Sequence, residues 1–436
     1  MIHHDIAKQD TVAVLRQALQ DGKAQRFALI DDVHGSLRVL AWSPVAQDAQ
    51  AALATALAGA GGPYSQPITV IDPERDPAAQ HMVAQLAMTA RYEADEKRLM
   101  LCERYRNRGA WFRSVPQPLW STVESDLEGP PIISFYSFKG GVGRTTNLAA
   151  FAIQRAQAGD RVVVIDGDLD APGLGALLTP DPPTIEARYG VVDYLMESIH
   201  GTPDIDDFLQ YCHRPALASH GGSIAVMPAG LVSDNYLGRL ARVDLEPDAE
   251  GRAKAWTGMI RHIRDALDPQ WILCDTRPGL GDAAGGLLSG LAHLQILCGL
   301  DSEQSWRGIE LVIRRLGRER LLQELPNQAD CLLVQTMIAA ESGAADEAMA
   351  RFRQRSEQVF QDGYYAESES ADADERLWTV ADLDTSDAPH VPVAIPYHPG
   401  IPHAQSLDRI APILQQGPWA ELGRRILARW KPGESP

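Results

Sequence analysis

Residues Phe138 to Thr146 read FKGGVGRTT. They follow an apolar run, Ile132, Ile133, Ser134, Phe135 and Tyr136, which Pro130 and Pro131 bound on its N-terminal side. They precede an Ala-rich run that ends near Gly159. Strand, glycine loop and helix in that order are the context a phosphate-binding loop requires. Gly140, Gly141, Val142 and Gly143 form the curl, and the glycines let its N–H groups aim at one anion. The helix that follows adds the positive end of its dipole. Thr145 offers a hydroxyl to Mg²⁺, Thr146 offers a second donor to a phosphate, and Lys139 and Arg144 supply cationic side chains.

Two acids follow at strand ends. Arg161 to Asp166 reads as a strand and runs into Gly167, Asp168, Leu169 and Asp170. Trp271 to Asp275 reads as a buried strand closed by a carboxylate, with Thr276, Arg277, Pro278 and Gly279 after it. Phosphoryl transfer needs a group that positions water in line with the leaving oxygen, and a carboxylate at the C-terminal end of a strand beside the loop meets that need.

The loop resembles the deviant Walker A motif, KGGxGK[ST], of the ParA/MinD partitioning and positioning ATPases, in its KGGVGR form. The resemblance implies an α/β fold with a mostly parallel twisted sheet flanked by helices, and ATP with Mg²⁺ as cofactors. It implies a homodimer across the nucleotide, with Lys139 reaching the partner's nucleotide. It places Arg144 where a lysine holds the β- and γ-phosphates; a planar fork there is not equivalent to a point charge. By position, Asp166 lies near the metal with Thr145, and Asp168 orients the attacking water. Asp275 to Gly279 matches the DxxPG of Walker B and the second switch, so Asp275 holds Mg²⁺ through water. Gln335 and Thr336 stand where related ATPases place an adenine-reading Asn, and Pro396 and Tyr397 border the purine. Variants with this loop look like parts of multi-gene bacterial systems, including anti-phage ones.

The chain has 436 residues, 45% of them apolar, which suffices for two or three domains with large cores. A net charge of −18 argues against a protein that coats nucleic acid by charge alone. Cys102, Cys212, Cys274, Cys298 and Cys331 are scattered without a CxxC pair, as in a reduced, cytoplasmic protein. No apolar stretch reaches the length of a membrane span.

Residues 1–125 read as a separate small α/β domain, joined by a linker at 126–131 to an ATPase domain over 132–436. Within the small domain, Pro77 to Glu96 reads as one long helix. It carries no recognisable catalytic motif and is the expected docking element for a protein partner. The run Glu103 to Arg113 mixes arginines with aromatics; it suits nucleic-acid or protein contacts, or is a solvated hairpin edge. Arg307 and Arg314 to Arg320 form a basic cluster that reads as a DNA or acidic-partner contact, or as a solvated helix face. Glu357 to Ala388 reads as an acidic surface loop holding Tyr364 and Tyr365. Trp419, Leu422, Ile426 and Trp430 make an apolar stripe on a basic C-terminal helix, which packs on its own sheet or lies on an anionic membrane.

The first functional reading is a nucleotide-controlled dimer switch that regulates a partner protein. A nucleotide-dependent scaffold with little turnover, motivated by Arg144, is the second, and a DNA- or membrane-associated positioning ATPase is a variant of the first. A tyrosine autokinase requires a terminal tyrosine cluster, and residues 429–436 hold none. An iron–sulfur carrier requires paired cysteines that the spacings do not offer.

Overall fold

The computed structural model describes residues 2–87, 90–93, 96–103, 111, 118–120, 129–178, 187, 189–198, 200–201, 209–212, 221–243, 253–288, 290–322, 329–339, 342–366, 378–401 and 407–430. The chain forms two compact units, Met1–Phe112 and Arg113–Pro436.

The smaller unit is a five-stranded mixed sheet. Its strands are β1 (Phe27–Asp31), β2 (Leu37–Trp42), β3 (Thr69–Ile71), β4 (Arg91–Glu93) and β5 (Glu96–Glu103), in the order β3-β2-β1-β5-β4. β1 runs parallel to β5 and antiparallel to β2. Phe27 and Leu29 face the helices His4–Gln20 and Gln47–Gly61, while Ala28 and Ile30 face the helix Pro77–Ala87. The period of two sends alternate residues of one strand into two separate cores. The helix expected over Pro77 to Glu96 stops at Ala87. Arg91 to Glu93 is instead the edge strand β4, antiparallel to β5, so cross-strand pairing outweighs the helical pattern there.

The larger unit holds seven strands: β6 (Ile132–Ser137), β7 (Arg161–Gly167), β8 (Ser223–Met227), β9 (Trp271–Thr276), β10 (Leu294–Gly299), β11 (Asp330–Ile338) and β12 (Val393–Pro396). Their order is β12-β11-β10-β6-β9-β7-β8 and every pairing is parallel. Strands covered on both faces read as continuous apolar runs, as β6 and β9 do. Ile133, Phe135, Leu273 and Ile296 face the helices Arg144–Gln157, Leu407–Leu414 and Pro418–Leu427. Ile132, Ile165, Ile272 and Cys274 face the helices Val191–Glu197, Lys254–Leu267 and Asp282–Leu288. The chain leaves β6 on one side for β7 and comes back on the other for β10, so a crevice opens at the C-terminal end of β6, where ligands bind in such sheets.

Three expectations shift. The boundary expected at residue 125 falls between Phe112 and Arg113, because Leu119 and Trp120 join the larger unit's core. There the Trp120 indole donates to the Pro130 carbonyl at 2.8 Å, and His293 donates to the Trp120 carbonyl through Nε2 while accepting the Ile132 N–H on Nδ1. Residues 121–128, with most of the expected linker, lie outside the described residues. The acidic loop expected over Glu357 to Ala388 begins as helix, since Ser342–Gly363 runs through its start as far as Gly363. Tyr364 and Tyr365 are buried, bonded to Asp330 and His390, so neither is presented for modification. Residues 367–377 are not among those described.

The C-terminal stripe packs inward, with Trp419, Leu422 and Ile426 buried against the helix Arg144–Gln157 and its sheet. The Trp419 indole donates to the Asn147 side chain at 3.1 Å, and the Arg425 guanidinium donates to the Ala388 carbonyl at 3.0 Å. No helix among the described residues is long and apolar enough to cross a membrane.

Candidate nucleotide and metal site

The loop between β6 and its helix is shaped by positive φ angles at two glycines, 71° at Gly141 and 80° at Gly143. Side chains with a Cβ resist this left-handed region, so the GGVG run suits the curl. Gly143 caps the helix Arg144–Gln157 in that conformation. Val142 is buried beneath the loop, and Gly140 and Gly141 are exposed above it. Thr146 lies half-buried one residue beyond Thr145.

Arg144 turns inward. It is buried, its Nε donates to Asp275 Oδ1, and its Nη2 donates to Asp168 Oδ2 at 2.9 Å. Thr145 donates its hydroxyl to the other Asp275 oxygen at 2.6 Å. Burial alone would lower the guanidinium pKa, but Asp275 and then Asp168 hold it above its usual value. Burial pushes the Asp275 carboxyl up, and Arg144 and Thr145 pull it back.

Asp166 and Asp275 are direct neighbours across the β7–β9 ladder. Asp166 accepts the N–H groups of Gly173 and Leu174 at 3.1 Å and of Asp168 at 3.3 Å. Burial and the nearby Asp275 charge push its carboxyl up to about 7, against those three donors. Asp166 thus shapes the loop that carries Asp168. Gly167 lets the two strands close, since a Cβ there would stand 2.7 Å from the Asp275 carbonyl oxygen.

The segment after Asp275 is tied to the segment before the glycine loop. Thr276 donates its hydroxyl to the Phe135 carbonyl at 2.9 Å, Gly279 donates its N–H to the Ser137 carbonyl at 3.1 Å, and the Tyr136 hydroxyl donates to the Gly279 carbonyl at 3.0 Å. Burial raises the Tyr136 pKa, so its hydroxyl stays a donor. Arg277 pairs with Asp170 at 2.8 Å, which joins the two acid-bearing loops directly.

The remaining residues separate. Lys139 is half-buried, and its ammonium makes no ion pair among the described residues. Gln335 does not line the crevice: it is buried and its amide donates to the Ala348 carbonyl at 3.3 Å, because its side chain points to the helix Ser342–Gly363. Thr336 spends its hydroxyl on the Gly299 carbonyl at 3.1 Å. Pro396 ends β12 and Tyr397 follows it, and both are exposed. Of the basic cluster, Arg307 pairs with Glu303 and Arg314 with Glu310 on their own helix, Glu303–Leu322, as a solvated face does.

Sequence reasoning missed one contact. Phe138 stands where ordinary phosphate loops carry glycine, and its ring packs on Gly308, where any Cβ would overlap it. A glycine mid-helix is the signal that could have found it, since such a residue usually has a packing reason.

Thr145 at the helix start and Asp275 in β9 supply hard oxygen donors, the type Mg²⁺ prefers. No cluster of three or more His, Cys, Asp or Glu ligands arises among the described residues. The donor set therefore fits an ion shared with a phosphate, not one caged by protein.

No protein-family model matches the sequence. An uncharacterized ATP-binding protein of Methanocaldococcus jannaschii is 28% identical over 149 residues, which cover 34% of this chain and 45% of that one. The chain thus spans less than half the length of that relative. Among solved structures, the cell division ATPase MinD of Pyrococcus furiosus aligns over 69% of this chain and 99% of its own, at 19% identity and a TM-score of 0.42. The septum site-determining protein MinD of Pyrococcus horikoshii, complexed with Mg-ADP, aligns over 69% and 95% at 17% identity and a TM-score of 0.39. The pNOB8 ParA bound to nonspecific DNA aligns over 70% and 100% at 15% identity and a TM-score of 0.42. By its own strand order and glycine loop, the larger unit is a P-loop nucleotide-binding fold. Its motif set resembles that of the ParA/MinD ATPases.

Proposed function

We propose that the protein binds ATP with Mg²⁺ at the C-terminal end of β6, hydrolyses it, and works as a nucleotide-controlled dimer switch for a partner protein. The observation that carries this reading is the convergence of Arg144, Thr145, Asp168 and Asp275 on one point beside a glycine loop of positive φ. The loop amides and the Thr146 hydroxyl would hold phosphate oxygens at the start of the helix. Thr145, with Asp275 through water, would hold Mg²⁺, which neutralises charge on the phosphates when bound. Asp168 would orient water, and Asp166 would fix the loop that carries it. Lys139, without an ion pair among the described residues, is the side chain left to reach a second subunit's nucleotide. The smaller unit would carry the signal to the partner.

Calorimetry tests the binding step: heat with ATP plus Mg²⁺ is expected, and none with either ATP or GTP would end the reading. Lys139→Ala is expected to abolish ATP-dependent dimerisation in light scattering while monomer binding persists. A dimer that forms as before in that variant removes the cross-subunit role. A scaffold with slow turnover is favoured by one feature, the tie from Arg144 to both acids. Phosphate release by wild type and Arg144→Lys separates the two, because brisk wild-type turnover rules the scaffold out.

A further inference from the structure

Arg144 is the first residue of its helix, yet its guanidinium does not face the loop amides where a phosphate would sit. It lies between two acid-bearing segments. Nε is on Asp275 Oδ1 and Nη2 is on Asp168 Oδ2, while Thr145 takes Asp275 Oδ2. Both oxygens of Asp275 and both of Asp168 are thus engaged by the chain's own donors, Asp168 Oδ1 by the Ala171 N–H at 3.3 Å. The Asp275 oxygens are those through which a divalent cation would be held by water, and Asp168 is the acid that would orient the attacking water.

We propose that Arg144 stands in for the divalent cation while the site holds no nucleotide, so that metal and polyphosphate enter only together. This rests on the reading of the crevice as a nucleotide site. With Arg144 in place, the two carboxylates are neutralised and closed to a metal. A polyphosphate offers the guanidinium a competing anion that also accepts two parallel hydrogen bonds. As Arg144 swings to the phosphate, Asp168 and Asp275 are uncovered, and the metal takes over their charge. Neither exchange is favourable alone. Removing one partner of a buried ion pair leaves an uncompensated charge, which is costly, so the cation leaves when its replacement arrives.

The residue type matters. Arginine presents donors in two directions on a rigid fork, and here it uses them on two different acids. A lysine ammonium, one atom shorter in reach, ties one of them well. The variant loop therefore fits an order of binding, and the charge that a lysine also supplies is only part of its role.

Mn²⁺ titration of the full chain without nucleotide, read by the electron paramagnetic resonance of the free ion, is the test. Wild type is expected to show no saturable site below roughly 1 mM, and Arg144→Gln to bind Mn²⁺ at least about tenfold more tightly. Arg144→Lys also gains affinity, and it is the variant to read if near-ultraviolet circular dichroism shows that Arg144→Gln has not folded. Wild type that binds Mn²⁺ as tightly as the variants overturns the proposal. Loss of ATP binding would end the nucleotide reading, yet the comparison with manganese alone would still decide what Arg144 does.

Discussion

Each unit sets two acids and one cation at the C-terminal ends of neighbouring parallel strands, and only one of the two sets is built as a site. In the smaller unit, Asp31 ends β1 and Glu103 ends β5, directly opposite in register. Lys8 bridges them at 2.9 and 2.5 Å, and His4 approaches Asp31 at 3.3 Å. In the larger unit, Asp275 near the end of β9 and Asp168 just after β7 share Arg144. The difference lies in the backbone. Lys8 sits in the second turn of a helix entered through His3 in extended conformation, with no glycine loop before it. Arg144 opens a helix entered through two left-handed glycines, so its neighbours are the loop's backbone amides and two threonine hydroxyls. Acids beside a cation at strand ends come readily with parallel sheets. A glycine loop beside them is the feature that a phosphate site requires in addition.

The comparison predicts unequal consequences for equivalent changes. Asp168→Ala is expected to lower phosphate release by about two orders of magnitude, roughly 3 kcal/mol in the barrier, with ATP affinity within tenfold of wild type. Turnover that survives this change would strip Asp168 of its role and make the two clusters alike.

His293 predicts a pH effect of similar size on stability alone. Burial lowers its pKa to about 4 from an ordinary 6.5, against the hydrogen bonds it makes with Trp120 and Ile132. The unfolded chain takes up a proton below about pH 6.5 that the folded chain refuses until about pH 4, so stability falls as pH drops through that window. The loss reaches about 3 kcal/mol at the lower end. Asp166 acts oppositely, because its raised pKa makes the folded state the better proton binder between its ordinary 3.8 and about 7. The difference between wild type and His293→Gln in denaturant unfolding isolates the histidine. Parallel pH curves for the two would refute its assignment.

Gly308→Ala forces a Cβ into the Phe138 ring and is expected to cost about 1–3 kcal/mol and weaken ATP binding, with Phe138→Ala restoring part of both. If ATP affinity is unmoved by Gly308→Ala, the helix Glu303–Leu322 does not support the loop. Asp31→Ala should be the smallest change, about 1–2 kcal/mol, because Lys8 keeps Glu103 and some access to water. It should leave phosphate release unchanged; a large fall would mean that the smaller unit's cluster is functional after all.

Much of this was readable before any coordinates. FKGGVGRTT named its own strand, loop and helix, because glycine spacing and apolar flanks are local properties. Asp166, Asp168 and Asp275 were placed by the same logic, at the ends of the apolar runs Val162–Ile165 and Trp271–Cys274. What failed did so for lack of long-range information. Gln335 was expected at the base, yet the alternation of β11 turns it toward Ala348, thirteen residues on in sequence. Leu119 and Trp120 fall within the range read as the smaller domain, yet Trp120 is held by Pro130, ten residues on, and by His293, 173 positions along the chain. Residues 91–93 are an exception, since they pair with residues 96–101 close by in the chain, and helical spacing alone did not distinguish this short antiparallel pair from a continued helix.

By itself the sequence determined that this protein carries a phosphate-binding loop on a parallel α/β sheet, since curl, strand and helix depend on residues that are adjacent in the chain. Tertiary structure alone decided that Arg144 lies on Asp168 and Asp275 and that Phe138 rests on Gly308. Those contacts join residues 24, 131 and 170 positions apart, and only the crossing of parallel strands brings such distant positions together.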